Sequence, residues 1–228
     1  MSVFYDSVKP WGRLLSEYVA MFALRDADRQ RHILGCSDGP ASFNAEMTAL
    51  GHRVISVDPL YTLSASQIEA RVQATWRDII AQVEANQAMF IWDHFGTPQA
   101  LGEARLRAMR HFLDDYDAGK RAGRYLPAQL PALPFADAQF ELALCGNFLF
   151  LYDSHFSLDF HLDAVRELCR VAQEVRIFPI HGLQNTLAEQ VRPVEEALRA
   201  EDWQVERVTV PYQFRQGSNQ MLRLWRTA

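Results

Sequence analysis

The chain has 228 residues, of which 49% are hydrophobic, and this is enough to bury the core of one large domain. Its formal net charge of −5 argues against nucleic acid as the main partner. No apolar run approaches the length that crosses a bilayer, and Cys36, Cys145 and Cys169 have neither disulfide nor zinc spacing, so we expect a cytoplasmic protein that does not enter membranes.

Hydrophobic periodicity predicts a chain in which strands and helices alternate. In chain order the predicted elements are a helix at 13–24, a strand at 32–34, a helix at 41–50, a strand at 52–58, two helical segments, strands at 124–130 and 140–145, a helix at 157–172, a strand at 174–180, a helix at 185–201, and strands at 203–210 and 220–226. This alternation indicates an α/β fold whose mostly parallel sheet carries helices on both faces, and the last two strands form an antiparallel hairpin at one edge.

The two helical segments lie within residues 62–122, between the second and third predicted strands. Their apolar residues recur at helical spacing, as at Ile68, Val72 and Trp76. We expect them to form a helical insertion within a single domain of residues 1–228, placed as a cap over the edge of the sheet that binds ligands.

The loop after the first strand matches two incompatible patterns. Its residues, Gly35-Cys36-Ser37-Asp38-Gly39, spell the G-x-S-x-G elbow in which Ser37 would be a hydrolytic nucleophile. Such a hydrolase takes an oxyanion donor from an earlier strand-helix loop, yet only one helix and a loop precede this strand, and no later histidine is singled out by its context. The pattern therefore argues weakly for a hydrolase.

The second pattern is a nucleotide-binding glycine loop, which requires an acidic residue at the end of the next strand. Asp58 lies there, 19 positions after Gly39, where its carboxylate could accept the ribose hydroxyls. Alternatively, Asp58 caps a turn before Pro59. Pro40 replaces the third glycine of a dinucleotide motif, and no Walker lysine is present, so the loop favours a nucleoside ligand without a phosphate bridge.

Four stretches resemble motifs of the class I S-adenosylmethionine-dependent methyltransferases. They are "ILGCSDG" for the first motif, "SVDPL" for the ribose-binding second motif, "LPALPFADAQFELALCGNFLFLY" through the fourth strand, and "LDAVRELCRVAQEVRIFPI" for the helix and fifth strand that follow. The resemblance implies a Rossmann-like, seven-stranded sheet, S-adenosylmethionine as the cofactor, and in-line methyl transfer. Because a capped pocket suits a small acceptor, we expect an unidentified small molecule to receive the methyl group. The alternative is a protein that binds S-adenosylmethionine or S-adenosylhomocysteine without turnover.

The same resemblance implies a set of cofactor-binding residues. They are Gly35, Cys36, Ser37, Gly39, Asp58, Pro59, Leu60, Gln129, Leu130, Asn147 and Phe148. The chain departs from the family pattern at three positions: Ile33 replaces an acid that helps to hold the methionine amino group, Ser37 replaces the middle glycine, and Gln129 replaces an aspartate beside adenine. The resemblance identifies neither a catalytic residue nor the acceptor.

Other candidates for the site carry less information. Tyr5 and Trp11 could fold over the methionine end of the cofactor, or Trp11 could pack against the core. Asp93 or His94 could reach the acceptor from the insertion, but a solvated turn is the favoured interpretation of these two residues. We expect Cys36 and Cys145 to approach each other as buried thiols. We predict no metal site, because a standard ligand spacing is not matched by the nearest candidates, Asp153, His155, Asp159 and His161.

Overall fold

The computed structural model describes residues 11–226, with one seven-stranded sheet at its centre. Its strands are β1 (Ile33–Cys36), β2 (Val54–Val57), β3 (Tyr125–Leu126), β4 (Phe140–Gly146), β5 (Ala172–Phe178), β6 (Gln204–Thr209) and β7 (Gln220–Trp225). They lie in the order β3-β2-β1-β4-β5-β7-β6, and β7 runs antiparallel to both of its neighbours. The predicted mostly parallel sheet with an antiparallel hairpin at its edge is therefore confirmed.

Helices connect the strands and cover the sheet. Within residues 11–226 the α-helices are α1 (Leu15–Met21), α2 (Asp26–Arg29), α3 (Phe43–Ala49), α4 (Ala65–Ala85), α5 (Pro98–Arg121), α6 (Leu158–Val171) and α7 (Val191–Ala200). Among these described residues, none of the helices combines the length and apolar character that a membrane crossing requires.

Several predicted boundaries differ from those in the structure, and three of the differences bear on the site or have a clear structural cause. Strand β1 continues to Cys36, so Gly35 and Cys36 are strand residues paired with both β2 and β4 rather than part of the loop. Strand β3 stops at Leu126 because Pro127 follows, and proline has no N–H to donate to a neighbouring strand. Helix α7 begins at Val191 rather than at 185, because the preceding residues form a turn.

The predicted insertion consists of α4 and α5, and α5 packs on α3 as well as on α4. Tyr116 of α5 donates a hydrogen bond to the carbonyl oxygen of Tyr61 at 3.0 Å. Gly119 leaves room for the ring of Tyr125, which would lie 2.3 Å from a Cβ atom at position 119. Helix α5 is thus packed into the hydrophobic core, while the role of the two helices as a cap stays a prediction.

A buried ion pair ties three distant segments together. Glu17 of α1 and Arg105 of α5 are 0% and 1% exposed and form a salt bridge, and the hydroxyl of Tyr212, between β6 and β7, donates to Glu17 Oε1 at 2.9 Å. Burial opposes ionisation of Glu17, but the charge of Arg105 and its hydrogen bond outweigh burial, so the pKa of Glu17 lies below its ordinary value. The Arg105 guanidinium also lies 5.1 Å from the centre of the Trp11 ring.

We expect Glu17→Gln to lower the free energy of unfolding by about 3–5 kcal/mol, because the substitution leaves the Arg105 charge buried and uncompensated. Urea unfolding followed by circular dichroism measures this loss. The control is Glu201→Gln, which breaks the half-exposed pair with Arg166 and should cost at most about 1 kcal/mol. Equal losses in the two variants would show that the buried pair is not special.

Candidate functional site

A cavity of about 460 Å³ opens at the carboxyl ends of β1, β2 and β4, within the size range of small-molecule sites. All but two of the predicted cofactor-binding residues line it: Ser37, Gly39, Asp58, Pro59, Leu60, Gln129, Leu130, Asn147 and Phe148. The two exceptions, Gly35 and Cys36, lie in β1 and do not line the cavity. Residues not predicted as cofactor-binding complete its wall, namely Trp11, Arg13, Tyr18, Asp38, Ala41, Arg71, Gly146, Phe156 and Phe160.

The loop after β1 turns sharply and is fastened to β2. Ser37 and Gly39 both adopt left-handed backbone conformations, with φ of 59° and 54°. Such a conformation suits glycine and strains serine, whose Cβ crowds the backbone. The Ser37 N–H donates to the carbonyl oxygen of Val57 at 2.9 Å, so the loop is held beside the end of the second strand.

Asp58 is the second fastening point of this loop. Its Oδ2 accepts a hydrogen bond from the Gly39 N–H at 2.9 Å, and its Oδ1 accepts one from the Leu60 N–H at 2.8 Å. Burial raises the pKa of Asp58, and the two N–H donors partly oppose this. Asp58 therefore caps the turn, as one alternative predicted, yet each oxygen keeps a second lone pair that can face the cavity.

Asp38 is the polar residue that the sequence analysis missed. Its Oδ1 accepts from the Tyr18 hydroxyl at 2.8 Å and its Oδ2 from the Ser56 hydroxyl at 2.6 Å. Burial raises the pKa of Asp38 to about 7, although the hydrogen bonds from Ser56 and Tyr18 lower it and the charge of Asp58 raises it further. Gly35 makes room for this carboxylate, because a Cβ atom at position 35 would lie 1.9 Å from Asp38 Oδ2.

A signal for Asp38 was present in the sequence, since it is the acid inside the glycine loop itself. The family pattern directs attention to position 33 instead, where the structure places a fully buried isoleucine. The acidic side chain of this loop thus enters the cavity from a different position of the motif.

The lining of the cavity offers no partner for a serine nucleophile. The Oγ atom of Ser37 lies 4.0 Å from Cys36 Sγ, and no histidine is among the described residues that line the cavity. His161 lies elsewhere, with its ring nitrogens 2.8 and 3.1 Å from the carbonyl oxygens of Ser157 and Leu149. The arrangement that a hydrolase needs, with a base beside the hydroxyl, is not formed here.

The structure also locates the minor candidates. Cys36 and Cys145 are register partners on β1 and β4, as expected, and a hydrogen bond between the thiols together with burial raises the pKa of Cys36. The carboxylate of Asp153 accepts from the backbone N–H groups of Ser154 and Glu189. Tyr5 lies outside the described residues.

A second, smaller pocket of about 60 Å³ lies beside the cavity, at the ends of β4 and β5. It is lined by Trp11, Arg13, Ile79, Phe90, Asn147, Leu151, Tyr152, Phe178, Pro179, Tyr212, Phe214, Arg215 and Ser218. Trp11, Arg13 and Asn147 line both spaces, so the two meet at these residues.

The strand order, with β7 inserted antiparallel between β5 and β6, is that of the class I S-adenosylmethionine-dependent methyltransferase fold. No protein-family model matches the chain. The "Uncharacterized protein MJ0045" of Methanocaldococcus jannaschii is 31% identical over 215 residues, covering 92% of this chain and 93% of that protein. The chain therefore belongs to the same family as that protein.

Similar solved structures include two methyltransferases. Magnesium protoporphyrin IX methyltransferase (ChlM) from Synechocystis PCC 6803, with bound SAM, is 10% identical with a TM-score of 0.49 over 93% of this chain and 78% of that one. The 1,6-didemethyltoxoflavin-N1-methyltransferase of Burkholderia thailandensis is 14% identical with a TM-score of 0.48 over 93% and 77%. Similarity at this level does not identify an acceptor for this chain.

We expect Ser37→Ala to bind S-adenosylhomocysteine within about twofold of the parent chain, because the loop acts through its backbone and not through the Ser37 hydroxyl. Calorimetry measures the affinity. The matched control is Ser37→Gly, which relieves the left-handed strain and should be no less stable than the parent. An esterase activity that disappears in Ser37→Ala would restore the hydrolase hypothesis.

Proposed function

We propose that this protein is an S-adenosylmethionine-dependent methyltransferase acting on a small molecule. One observation carries the proposal: Asp58 and the glycine loop are joined at the rim of a cavity of about 460 Å³, beside β1. The strand order reverses at β1, and open α/β sheets bind their ligands at such a switch point, outside the carboxyl ends of the strands.

The residues present fit this cofactor. Asp58 would accept the ribose hydroxyls, and Gln129 with Leu130 would lie against the adenine ring, since all three line the same wall. The ammonium and sulfonium groups of the cofactor are cations, and the lining supplies two carboxylates, those of Asp38 and Asp58. The lining also carries the guanidinium groups of Arg13 and Arg71, and the cofactor has a carboxylate of its own, so charges of both signs are present on the protein and on the ligand.

When bound, the cofactor supplies an activated methyl group. The chain's own contribution is to orient the acceptor and to exclude water. Asn147 stands where the two spaces meet, and it is held by its backbone N–H, which donates to the carbonyl oxygen of Phe178 at 2.6 Å. The carboxylates of Asp38 and Asp58 already accept two hydrogen bonds each, so neither is placed as a general base.

We expect S-adenosylmethionine and S-adenosylhomocysteine, but not NAD or NADP, to bind the purified chain in calorimetric titrations. Asp58→Ala should weaken the binding of S-adenosylhomocysteine by about two orders of magnitude, because two charged hydrogen bonds to the ribose are lost. The affinity of Asp58→Asn should lie between those of the parent chain and of Asp58→Ala. Asp58→Ala should also lower the melting temperature, since Gly39 and Leu60 lose their acceptor.

The control for this substitution is Asp153→Ala, which likewise removes a carboxylate that accepts two backbone N–H groups but lies outside the lining of the cavity. It should lower the melting temperature and leave the affinity unchanged. Binding of a nicotinamide cofactor alone, or an Asp58→Ala variant that binds as tightly as the parent chain, would contradict the proposal. Binding of S-adenosylmethionine without methylation of any acceptor would favour the non-catalytic alternative.

The pKa of Asp38, about 7, predicts a pH dependence for cationic ligands. The ionised carboxylate attracts a cation, so the affinity for S-adenosylmethionine should fall as the pH drops below about 7, by at most about tenfold per pH unit. Adenosine, which is neutral in this range, should show no such decline. Calorimetry between about pH 5.5 and 7.5 tests both ligands, and Asp38→Asn should flatten the profile for S-adenosylmethionine.

Stability should change in the opposite direction. The pKa of Asp38 is raised above its ordinary value of 3.8, so its contribution to stability is present below pH 3.8 and is lost as the pH rises to about 7. Asp38→Asn should therefore be more stable than the parent chain at pH 8, by up to a few kcal/mol. A variant that is less stable at pH 8 and binds S-adenosylmethionine with an unchanged pH profile would contradict the role assigned to this carboxylate.

A further inference from the structure

The smaller pocket lies where an acceptor for the bound cofactor would have to lie. It shares Trp11, Arg13 and Asn147 with the larger cavity, so these three residues form the boundary between a molecule in one space and a molecule in the other. Methyl transfer needs reacting atoms about 3–3.5 Å apart and in line. Of the two spaces, the smaller one is thus positioned to hold the acceptor.

The walls of this pocket are aromatic. The rings of Phe90 and Phe214 are stacked with their centres 4.7 Å apart, and Phe178 and Tyr212 meet edge to face at 5.8 Å. A water molecule needs about 10–15 Å³ of such space. The pocket of about 60 Å³ therefore holds the volume of about four to six waters, so it takes the edge of a ring rather than a whole one, and its flat apolar walls favour an aromatic group.

The charged groups that line the pocket are cations. Arg13 and Arg215 belong to the lining, whereas aspartate, glutamate and histidine are not found among the described residues that form it. Arg215 is positioned by a hydrogen bond from its Nε to Asn185 Oδ1 at 2.7 Å. A pocket with two guanidinium groups and no carboxylate favours an anion.

Arg13 is the cation at the junction of the two spaces. Its Nη1 donates to the carbonyl oxygen of Trp11 at 3.2 Å, but its Nε is buried and has no hydrogen-bond partner within residues 11–226. The nearby carboxylate of Glu17 forms its salt bridge with Arg105, and Arg13 has no salt bridge in the described part of the chain. A guanidinium group that has no salt bridge among the described residues is one that a ligand carboxylate pairs with well.

We propose that the smaller pocket binds a small aromatic carboxylate and that its carboxylate, held by Arg13 beside the cofactor, receives the methyl group; this rests on the proposed methyltransferase function. A carboxylate oxygen contributes the lone pair that forms the new O–CH₃ bond, and the C–S bond breaks with its electron pair staying on sulfur. The products are a methyl ester and S-adenosylhomocysteine. No proton is released, which agrees with a lining whose described residues include neither a carboxylate nor an imidazole base.

Benzoate is the probe, titrated by calorimetry into the full chain saturated with S-adenosylhomocysteine. The controls are benzamide, which has the same shape without the charge, and benzylamine, which carries the opposite charge. We expect benzoate to bind at least about tenfold more tightly than either control. With S-adenosylmethionine in place of the product, mass spectrometry should detect methyl benzoate. Equal affinity for benzoate and benzamide would overturn the proposal.

Arg13→Met tests whether the Arg13 guanidinium binds benzoate or S-adenosylhomocysteine. We expect benzoate to bind at least about tenfold more weakly and S-adenosylhomocysteine, whose cavity Arg13 also lines, to lose less affinity than benzoate does, with Arg13→Lys restoring part of the benzoate affinity. Loss of S-adenosylhomocysteine affinity with benzoate unaffected would overturn the proposal by assigning Arg13 to the cofactor. If Arg13→Met does not fold, the ratio of benzoate to benzamide affinity in the parent chain still decides.

Failure of the proposed function has a different signature. In that case S-adenosylhomocysteine would not bind the parent chain, which the titration before benzoate addition reveals directly. Benzoate and benzamide are then titrated into the chain alone. A preference for benzoate that Arg13→Met removes would support an anion-binding pocket, and no preference would reject it.

Discussion

Both candidate binding spaces depend on the buried pair of Glu17 and Arg105. The pair joins α1 to α5, and its hydrogen bond to Tyr212 joins both helices to the connection between β6 and β7. Residues just before α1 line the two spaces, and the β6–β7 connection lines the smaller one. Removing two charges from water is expensive, so such a pair is better understood as fixing one arrangement of three segments than as a large source of stability. Because Arg105 engages Glu17, Arg13 forms no salt bridge within residues 11–226.

The loop after β1 also contains features that lower the stability of the fold. Ser37 holds a left-handed backbone, and Asp38 keeps a carboxyl group almost wholly out of water at the edge of the cavity. Either feature lowers the stability of the fold, and proteins retain such features mainly where a ligand binds. The hydroxyls of Tyr18 and Ser56 reduce the cost of burying the carboxylate, because each donates a hydrogen bond to it.

Local sequence patterns were sufficient to predict the strand-loop-helix-strand unit around Gly39 and Asp58, because alternation, glycine and the end of an apolar run all act over a few residues. The alternatives for Asp58, ribose acceptor or turn cap, could not be separated that way, and the structure shows that its carboxylate reaches both the turn and the glycine loop. Local patterns also placed the start of α7 too early, because residues 182–186 form a turn instead of the first turn of the helix.

The partners of Glu17 and Asp38 were beyond local inference. Arg105 is separated from Glu17 by 88 positions, and Ser56 from Asp38 by 18. Contacts of this kind arise when whole helices and strands pack together, and no rule of residue spacing predicts them. The smaller pocket is a similar case, since its walls come from the end of β5, from α4 and from the β6–β7 connection, which only the assembled sheet brings together.

The tight approach of Asp38 to Gly35 has a consequence for how this family diverges. Asp38 Oδ2 lies 1.9 Å from where a Cβ atom at position 35 would stand, so a residue other than glycine at position 35 is incompatible with this position of the carboxylate. A lineage that retains the acid must retain glycine three residues earlier, whereas a lineage that first replaces the acid with a small residue becomes free to place alanine in the strand. Paired replacement at these two positions would therefore mark the branch at which the acidic loop was gained or lost.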